Sequence, residues 1–178
     1  MRIIAGEFRS RRLKSVPGLD TRPTPDRLRE ALFNVLAPQI EGAVFLDAYA
    51  GTGAVGIEAL SRGARRCIFV EKNRGAVGVI RENLAGLGLE SRSEVYTGKV
   101  VTVVERVSAD IVFLDPPYEL EEERDAALAA LGAAQHPLVI VQHASRQALK
   151  EDYGSLRRYR VLKQGDNSLS FYRDAAGG

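Results

Sequence analysis

The stretch VFLDAYAGTGAVG, residues 44–56, decides the predicted fold. An apolar strand runs into a glycine turn, and an alanine-rich helix follows. Gly51 and Gly53 permit a tight turn and a close approach of the backbone to a ligand. The spacing of Gly51, Gly53 and Gly56 matches the dinucleotide-binding fingerprint of a strand–turn–helix unit. This stretch therefore predicts an α/β protein with a ligand site at the end of its first strand.

Two acidic residues change what this turn is expected to bind. Asp47 precedes Gly51 at the mouth of the turn, where a carboxylate would repel a pyrophosphate but suits a cationic amine. Glu71 ends the next apolar strand, where an acid accepts hydrogen bonds from ribose hydroxyls. The pair indicates a cofactor with a ribose and a positive charge, a description that S-adenosylmethionine meets. Either acid could instead be an ordinary charge at a strand end.

A second motif, Asp115-Pro116-Pro117-Tyr118, follows the apolar run of residues 111–114. The run is typical of a buried parallel strand, so the carboxylate is expected at the edge where open α/β sheets bind ligands. The prolines stiffen the turn and remove two backbone donors, and the tyrosine offers a flat face. These features suit the binding of a planar base through hydrogen bonds from its exocyclic amine, although Asp-Pro and Pro-Pro also occur in ordinary turns.

Two further stretches resemble RsmD-type methyltransferases. Residues 22–34, RPTPDRLREALFN, look like the Arg-Pro-Thr signature of that family, and residues 1–13, MRIIAGEFRSRRL, look like its N-terminal hairpin. Residues 165–172, GDNSLSFY, resemble its closing hairpin. The resemblance covers nearly the whole chain. It implies methylation of the exocyclic N2 of a guanine in small-subunit (16S) ribosomal RNA, with S-adenosylmethionine as cofactor.

The resemblance also implies roles for individual residues. Arg22 and Thr24 would lie near the methionine end of the cofactor, unless they only start and brace a helix. Asp47 would hold the amino group of the cofactor. The complete set of expected cofactor-binding residues is Arg22, Thr24, Asp47, Tyr49, Ala50, Gly51, Gly53, Glu71, Lys72 and Gly98.

Strand and helix patterns alternate along the chain, which predicts a mostly parallel, twisted sheet with helices on both faces. Strands are predicted at residues 44–48, 67–71, 93–96, 111–114 and 138–142, and helices at 25–36, 54–61, 74–86 and 120–131. Residues 99–107 are rich in β-branched side chains, which favours a strand, but the alternation requires a crossover helix there. The C-terminal strand is expected to be antiparallel, and residues 1–16 are expected to form a small β-hairpin. The overall expectation is a Rossmann-like class I methyltransferase fold.

Composition and length limit the possible classes of protein. A chain of 178 residues, 45% hydrophobic and 27% charged, is typical of one soluble globular domain. Residues 1–178 are therefore expected to form a single methyltransferase domain, with residues 1–16 as an extension. Residues 1–29 contain eight basic and three acidic residues, a balance that fits a phosphate backbone or a plain solvated surface. The expected RNA-binding residues are Arg9, Arg11, Arg12 and Lys14.

The remaining signals concern location and partners. The single cysteine, Cys67, falls in an apolar strand and indicates a reducing compartment. We see no signal peptide and no apolar run near the ~20 residues of a membrane helix, so we expect a cytoplasmic monomer. His136 and His143 are interpreted as structural, and no metal site is expected. The short segment between Asp47 and Asp115 leaves no room for a target-recognition domain, which favours structured RNA within the small ribosomal subunit.

Other functions stay open on sequence alone. The target could be adenine N6 in DNA or a different guanine in RNA, because the Asp-Pro-Pro-Tyr motif does not separate these amines. A non-catalytic RNA-binding assembly factor could keep the same fold, although a pure binder does not need an amine-gripping turn. A nicotinamide dehydrogenase is the weakest alternative, since Asp47 suits a sulfonium cofactor better.

Overall fold

The computed structural model describes residues 1–17, 24–134 and 137–175. Within these residues, five α-helices alternate with eight strands. The helices are α1 (Asp26–Ile40), α2 (Ala54–Ser61), α3 (Arg74–Leu87), α4 (Val100–Val104) and α5 (Glu121–Ala134). The strands are β1 (Val44–Ala48), β2 (Arg66–Glu71), β3 (Ser93–Thr97), β4 (Ile111–Leu114), β5 (Leu138–Ala144), β6 (Asp152–Tyr153), β7 (Leu156–Gln164) and β8 (Asn167–Asp174).

The strands form one sheet in the order β3-β2-β1-β4-β5-β8-β7-β6. Strands β1 to β5 are parallel, and β8, β7 and β6 complete the sheet in antiparallel pairs. Parallel neighbours need a crossover connection, and α2 to α5 supply the four crossovers. The strand order reverses between β1 and β4, which places a crevice between the carboxyl ends of these two strands. The predicted fold class is confirmed.

Strands β1, β2, β4 and β5 are buried on both faces of the sheet, since successive side chains of a strand point to opposite faces and both sets are covered. Phe45, Phe69 and Phe113 pack with residues of α1, α2 and α3. Leu46 and Val70, each next to one of those aromatic residues in its strand, pack with residues of α4 and α5. This two-sided burial explains why the strands read as continuous apolar runs rather than as alternating patterns.

Residues 99–107, for which propensity favoured a strand and the alternation required a helix, contain the helix α4. It spans only five of these residues. Its sequence is almost entirely valine, and local propensity alone would favour a strand. Val100, Val103 and Val104 are buried against the sheet, and the spacing of i, i+3 and i+4 places them on one helical face. Burial on the crossover therefore outweighs the propensity of the individual residues.

The predicted N-terminal hairpin is present in a reduced form. Arg2 and Arg12 form a single antiparallel bridge, and the Leu13 amide donates to the Met1 carbonyl at 2.9 Å. Regular strands do not form within residues 1–17. Ile3 and Leu13 are buried in the core cluster beneath α1 and α2, so the segment is attached by packing as well as by backbone pairing.

Glu58 of α2 fixes this segment to the body of the protein. Its side chain is fully buried and accepts hydrogen bonds from the backbone amides of Ile4 at 2.9 Å and Ala5 at 3.1 Å. Arg62 balances its charge through an Nε donor at 2.8 Å. A buried carboxylate is tolerated only when it is paired and hydrogen-bonded in this way. Nothing in the sequence patterns pointed to this role.

Candidate active site

A cavity of about 1310 Å³ opens at the carboxyl edge of the parallel strands. Its walls come from the loops after β1 to β5 and from the turn between β7 and β8. The predicted site residues that line it are Thr24, Asp47, Tyr49, Ala50, Gly51, Glu71, Lys72, Gly98, Asp115, Pro116, Pro117 and Tyr118. Arg22 lies outside the described residues. The two motifs found in the sequence therefore face one space.

The turn after β1 has the left-handed backbone that its glycines predicted. Gly51 has φ 58° and Gly53 has φ 83°, and the Gly53 amide donates to the Ala50 carbonyl at 2.8 Å. Gly53 is buried and is not among the residues that line the cavity, so its contact with a cofactor stays a prediction. Tyr49 also has a positive φ of 60°, a backbone that is a true outlier for a bulky residue and that clusters at functional sites.

Gly56 allows α2 to lie directly on β2. A Cβ atom built at this position would stand 2.4 Å from the Phe69 ring and 2.6 Å from Cys67 Sγ, distances that no real side chain tolerates. The amide of Gly56 donates to Asp47 Oδ2 at 2.9 Å. The third glycine of the fingerprint therefore serves helix–strand packing, and it also fixes the carboxylate at the end of β1.

Asp47 is buried at the bottom of the cavity. Burial raises its pKa well above the ordinary value, and the negative charges of Asp115 and Glu71 raise it further, while the hydrogen bond from Gly56 lowers it. A cation that binds beside a buried carboxyl group of this kind stabilises its ionised form. Within the described residues, none of the three carboxylates forms an ion pair.

Glu71 lies at the end of β2 and braces two loops. Its Oε1 accepts from the Gly51 amide at 2.9 Å, and its Oε2 accepts from the Asn73 amide at 2.8 Å. An ionised carboxylate offers about four lone-pair positions, so both oxygens can still accept a hydrogen bond from a ligand. The Glu71 carbonyl also accepts from the Gly98 amide at 3.1 Å, and this bond places Gly98 on the cavity wall.

Asp115 follows β4 directly and lies between Asp47 on one side and Thr24 on the other. The Thr24 hydroxyl donates to Asp115 Oδ2 at 3.3 Å. Burial raises the pKa of Asp115 to about 7, and the Thr24 hydrogen bond opposes that rise. Thr24 directly precedes the helix predicted from residue 25, a position at which a threonine often caps a helix, but its side chain does not cap α1. The residue before α1 is Pro25, and α1 has no side-chain cap, because the Thr24 hydroxyl is used by Asp115.

Tyr118 is held by the C-terminal half of the chain. Its hydroxyl donates to Asn167 Oδ1 in the β7–β8 turn, and its carbonyl accepts from Gln147 Nε2 at 2.8 Å. The same Gln147 nitrogen donates to Glu121 Oε1 at 2.9 Å. The aromatic ring of the motif is therefore positioned by two segments that are distant in sequence.

The acidic run after Tyr118 has structural partners. Glu121, Glu122 and Glu123 occupy the first turn of α5, where negative charge is favoured by the helix dipole. Glu123 Oε1 accepts from the Tyr49 hydroxyl at 3.4 Å. Burial, together with the Glu123 charge, raises the pKa of that tyrosine. These contacts connect the start of α5 to the turn after β1.

Sequence reasoning missed one whole side of the cavity. The missed wall is formed by Gln142, Ala144, Ser145, Arg146, Gln147, Ala148, Asp166 and Asn167. Gln142 is 4% exposed, and its Oε1 has no hydrogen-bond donor among the described residues. The available signal was positional: these residues follow β5 or join β7 to β8, and both places lie at the same edge of the sheet.

Two of the four predicted RNA-binding cations, Arg11 and Lys14, contact α3. Arg9, Arg11, Arg12 and Lys14 are all exposed. Arg11 Nη2 donates to the Gly86 carbonyl at 3.1 Å, and Lys14 Nζ pairs with Glu82 at 3.0 Å. Ala76 of α3 lines the cavity, and from there α3 extends about 15 Å to Gly86. Arg11 therefore lies farther from the cavity than Lys14 does.

The described residues contain no group of three or more His, Cys, Asp or Glu side chains that could hold a metal ion. His143 is buried and bonded to Ser170 Oγ at 2.8 Å through Nε2, and burial lowers its pKa. His136 lies outside the described residues. Among the described helices, none has the length and apolar character of a membrane span.

The fold, with its glycine turn and carboxylate-lined crevice between β1 and β4, is that of the class I methyltransferases. Comparison with known proteins narrows the class to one family. The family described as conserved hypothetical protein 95 matches residues 1–173, and the chain belongs to it. The resemblance to RsmD-type methyltransferases is confirmed.

Curated relatives and solved structures agree with this assignment. "Ribosomal RNA small subunit methyltransferase D" of Escherichia coli K12 is 40% identical over 182 residues, covering 100% of this chain and 92% of that protein. "Putative rRNA methyltransferase YlbH" of Bacillus subtilis is 34% identical over 182 residues, covering 97% and 98%. The structure of "putative methyltransferase yhhF" from Escherichia coli superposes with a TM-score of 0.84 at 33% identity, covering 98% and 97%.

Proposed function

We propose that this protein transfers the methyl group of S-adenosylmethionine to the exocyclic N2 amine of a guanine in small-subunit (16S) ribosomal RNA. The observation that carries the proposal is the meeting of two motifs in one cavity. The carboxylate-lined turn after β1 suits a cationic cofactor, and the turn after β4 presents Asp115 to the same space. The names of the family relatives support ribosomal RNA as the substrate class.

The donor set fits the proposed cofactor. The cavity is large enough for a nucleoside with an amino-acid tail, and the raised pKa of Asp47 marks a site that favours a positive group. Asp47 would hold the amino group, and Glu71 would accept from the ribose hydroxyls. The backbone of Ala50 and Gly51, together with Tyr49, Gly98 and Lys72, would form the surrounding walls. When bound, S-adenosylmethionine supplies a methyl group on a sulfonium centre.

The residues of the chain would act on the target amine by positioning it. The Asp115 carboxylate and the Pro116 carbonyl accept its two N–H groups and direct its lone pair toward the cofactor. They also stabilise positive charge that develops on the nitrogen, and Asp115 is the nearest acceptor for the proton that the methylated amine releases. Tyr118 would stack on the base, a contact worth ~1–3 kcal/mol. A paired base could not enter, so the guanine must be unpaired or flipped out.

The proposal includes a single domain over residues 1–178, with residues 1–16 as an extension, that works as a cytoplasmic monomer. The surface cations Arg9, Arg11, Arg12 and Lys14 would contact RNA phosphates. The shape of the small ribosomal subunit would supply target selection, as it does in many cases where structured RNA is recognised.

The test is methyl transfer from labelled S-adenosylmethionine to undermodified small ribosomal subunits, to naked ribosomal RNA and to DNA, with nucleosides identified by mass. We expect N2-methylguanosine from the subunit. N6-methyladenine from DNA would keep the fold and the role of Asp115 but overturn the substrate. The variant Asp115→Ala should lose turnover while isothermal titration still shows cofactor binding, and full activity in that variant would contradict the mechanism.

A further inference from the structure

The outer part of the sheet carries a cationic and aromatic surface that the proposed function does not yet use. Strand β7 contains four basic residues and no acidic residue. Strand β6 pairs with the first residues of β7, so most of β7 has no strand beside its outer edge within the described residues. We define the ribbon surface as Arg157, Tyr159, Arg160 and Arg173, which lie on β7 and its neighbour β8.

These side chains share one face because β7 contains a bulge. The pairing shifts between Arg158 and Arg160, and a bulge lets two successive residues approach the same side of the partner strand. The Tyr159 ring accordingly lies 6.2 Å from the Phe171 ring, and the Arg160 guanidinium lies 5.8 Å over Phe171. Both therefore reach the face on which Phe171 joins the core.

Arg173 stacks on Tyr159 with its guanidinium carbon 4.1 Å from the ring centroid. The ring remains 42% exposed, which is unusual for a large aromatic side chain. Arg157 is paired with Asp152 at 3.1 Å, whereas Arg160 and Arg173 form no ion pair with any described residue. Two unneutralised guanidinium groups beside an exposed ring match the combination that binds phosphates and stacks on bases.

The ribbon surface is continuous with the candidate active site. Gln164, at the end of β7, pairs with Asn167, and Asn167 accepts the hydrogen bond from Tyr118. From Arg160 to Gln164 the strand rises about 13 Å, which corresponds to about four nucleotides of a helical strand. The N-terminal cations differ in two respects. Arg11 bonds to Gly86, near the end of α3 that is farther from the cavity, and Lys14 is already paired with Glu82.

We propose that the ribbon surface binds the RNA strand that flanks the target nucleotide, with Arg160 and Arg173 on phosphates and Tyr159 stacked on a base. This inference rests on the proposed function, since it names a docking surface for the same substrate. The alternative is that the cations only keep an exposed strand edge soluble, as charged residues do on many edge strands.

The experiment compares two double variants of the full chain, Arg160→Gln/Arg173→Gln and the control Arg65→Gln/Arg106→Gln. Both remove two exposed charges. Arg65 precedes β2, which is the second strand from the opposite edge of the sheet, and Arg106 follows α4, which packs on the opposite face. Binding of a 16S ribosomal RNA transcript is measured at several KCl concentrations. We expect the first variant to lower the magnitude of the slope of log K against log salt by about 1.4 to 1.8, since each phosphate contact contributes roughly 0.7–0.9. The control should leave the slope unchanged.

Tyr159 gives an independent readout. Tyr159→Ala should weaken RNA binding about tenfold, a loss of stacking of about 1.4 kcal/mol, without changing the salt slope. Tyr159→Phe keeps the ring and should bind as the wild type does. Cofactor affinity should be unchanged in every variant, and thermal unfolding confirms that each is folded. If the wild type binds and methylates RNA but the two double variants have equal slopes, the ribbon surface is not the docking site. If the wild type neither binds nor methylates RNA, the proposed function itself fails.

Discussion

Asp115 is the residue whose protonation state the proposed reaction depends on, because only the carboxylate can accept both the amine hydrogen bond and its proton. Its pKa of about 7, raised from 3.8 by burial, places that change near neutral pH. The ionised carboxylate, which is the acceptor form, is lost as pH falls through 7, so activity should decrease on the acid side. We expect kcat/KM for S-adenosylmethionine to fall about tenfold per pH unit below 7 and to level off above it, since this parameter reports the free enzyme.

Two variants make the assignment of this pH dependence specific. Asp115→Asn removes the titrating group, so its residual activity should show no acid limb near pH 7. Thr24→Val removes the hydrogen bond that favours the carboxylate, so its limb should move to higher pH. An unchanged limb in Asp115→Asn would assign the pH dependence to another group.

The raised pKa of Asp115 also makes stability depend on pH, in the direction opposite to activity. Protonation of Asp115 is easier in the folded state than in the unfolded state. Its contribution to the free energy of unfolding therefore declines as pH rises from about 4 to 7.

Gly56 supports a prediction about packing at the scale of one atom. The added Cβ of Gly56→Ala would overlap the Phe69 ring and Cys67 Sγ, both in the strand beneath α2. Overpacking of this kind costs about 1–3 kcal/mol. A matched control is Gly78→Ala in α3, where nothing lies within 4 Å of the new atom. That change should stabilise by about 0.5–1 kcal/mol, because alanine is the better helix former. Urea unfolding measures both, and equal effects would contradict the contact argument.

At the scale of elements, the regular pattern could be predicted because each signal is local. The apolar runs identified β1, β2, β4 and β5, and the glycines located the turn after β1. The length of α4 and the existence of β6 could not be predicted in the same way. Val100–Val104 is helical because tertiary burial outweighs propensity, and β6 is a two-residue strand that carries no periodic pattern.

The β7–β8 turn supports the Asp-Pro-Pro-Tyr motif, and this dependence can be tested. Asn167→Ala and Tyr118→Phe each remove the hydrogen bond between these two side chains while the tyrosine ring remains. Each should reduce kcat/KM for RNA about three- to tenfold, the equivalent of one hydrogen bond, and leave cofactor affinity unchanged. The double variant should be no worse than either single one, because both act through the same contact. Additive losses would show that the two residues act separately.

At the scale of the whole molecule, the side of the cavity formed by the glycine turn and the Asp-Pro-Pro-Tyr motif could be predicted. The side formed by the residues after β5 and in the β7–β8 turn could not. Asp47, Glu71 and Asp115 each end a strand, so the parallel arrangement alone brings them together. Asn167 and Gln147 reach the cavity because β8 inserts beside β5 in the opposite direction. That insertion depends on the complete sheet order, which no local pattern specifies.

The N-terminal segment joins the fold to the proposed RNA contacts, so removing it cannot test RNA binding alone. Deletion of residues 1–14 would expose the sites of Ile3 and Leu13, whose burial contributes about 3–6 kcal/mol together. It would also leave Glu58 without its two backbone donors. We expect the melting temperature to fall by at least about 6 °C, since 1 kcal/mol shifts it by about 2–4 °C in a chain of this size.

Substitution of the cations separates the two roles that a deletion would confuse. The variant Arg9→Gln/Arg11→Gln/Arg12→Gln/Lys14→Gln keeps Ile3, Leu13 and the backbone donors to Glu58. Its melting temperature should therefore stay within a few degrees of the wild type, because surface substitutions usually change stability by less than about 0.5 kcal/mol each. Any loss of RNA affinity in it then reports phosphate contacts, through a lower salt slope. If the deletion variant melted like the wild type instead, the segment would be an appendage rather than part of the core, and the buried carboxylate of Glu58 would need another explanation.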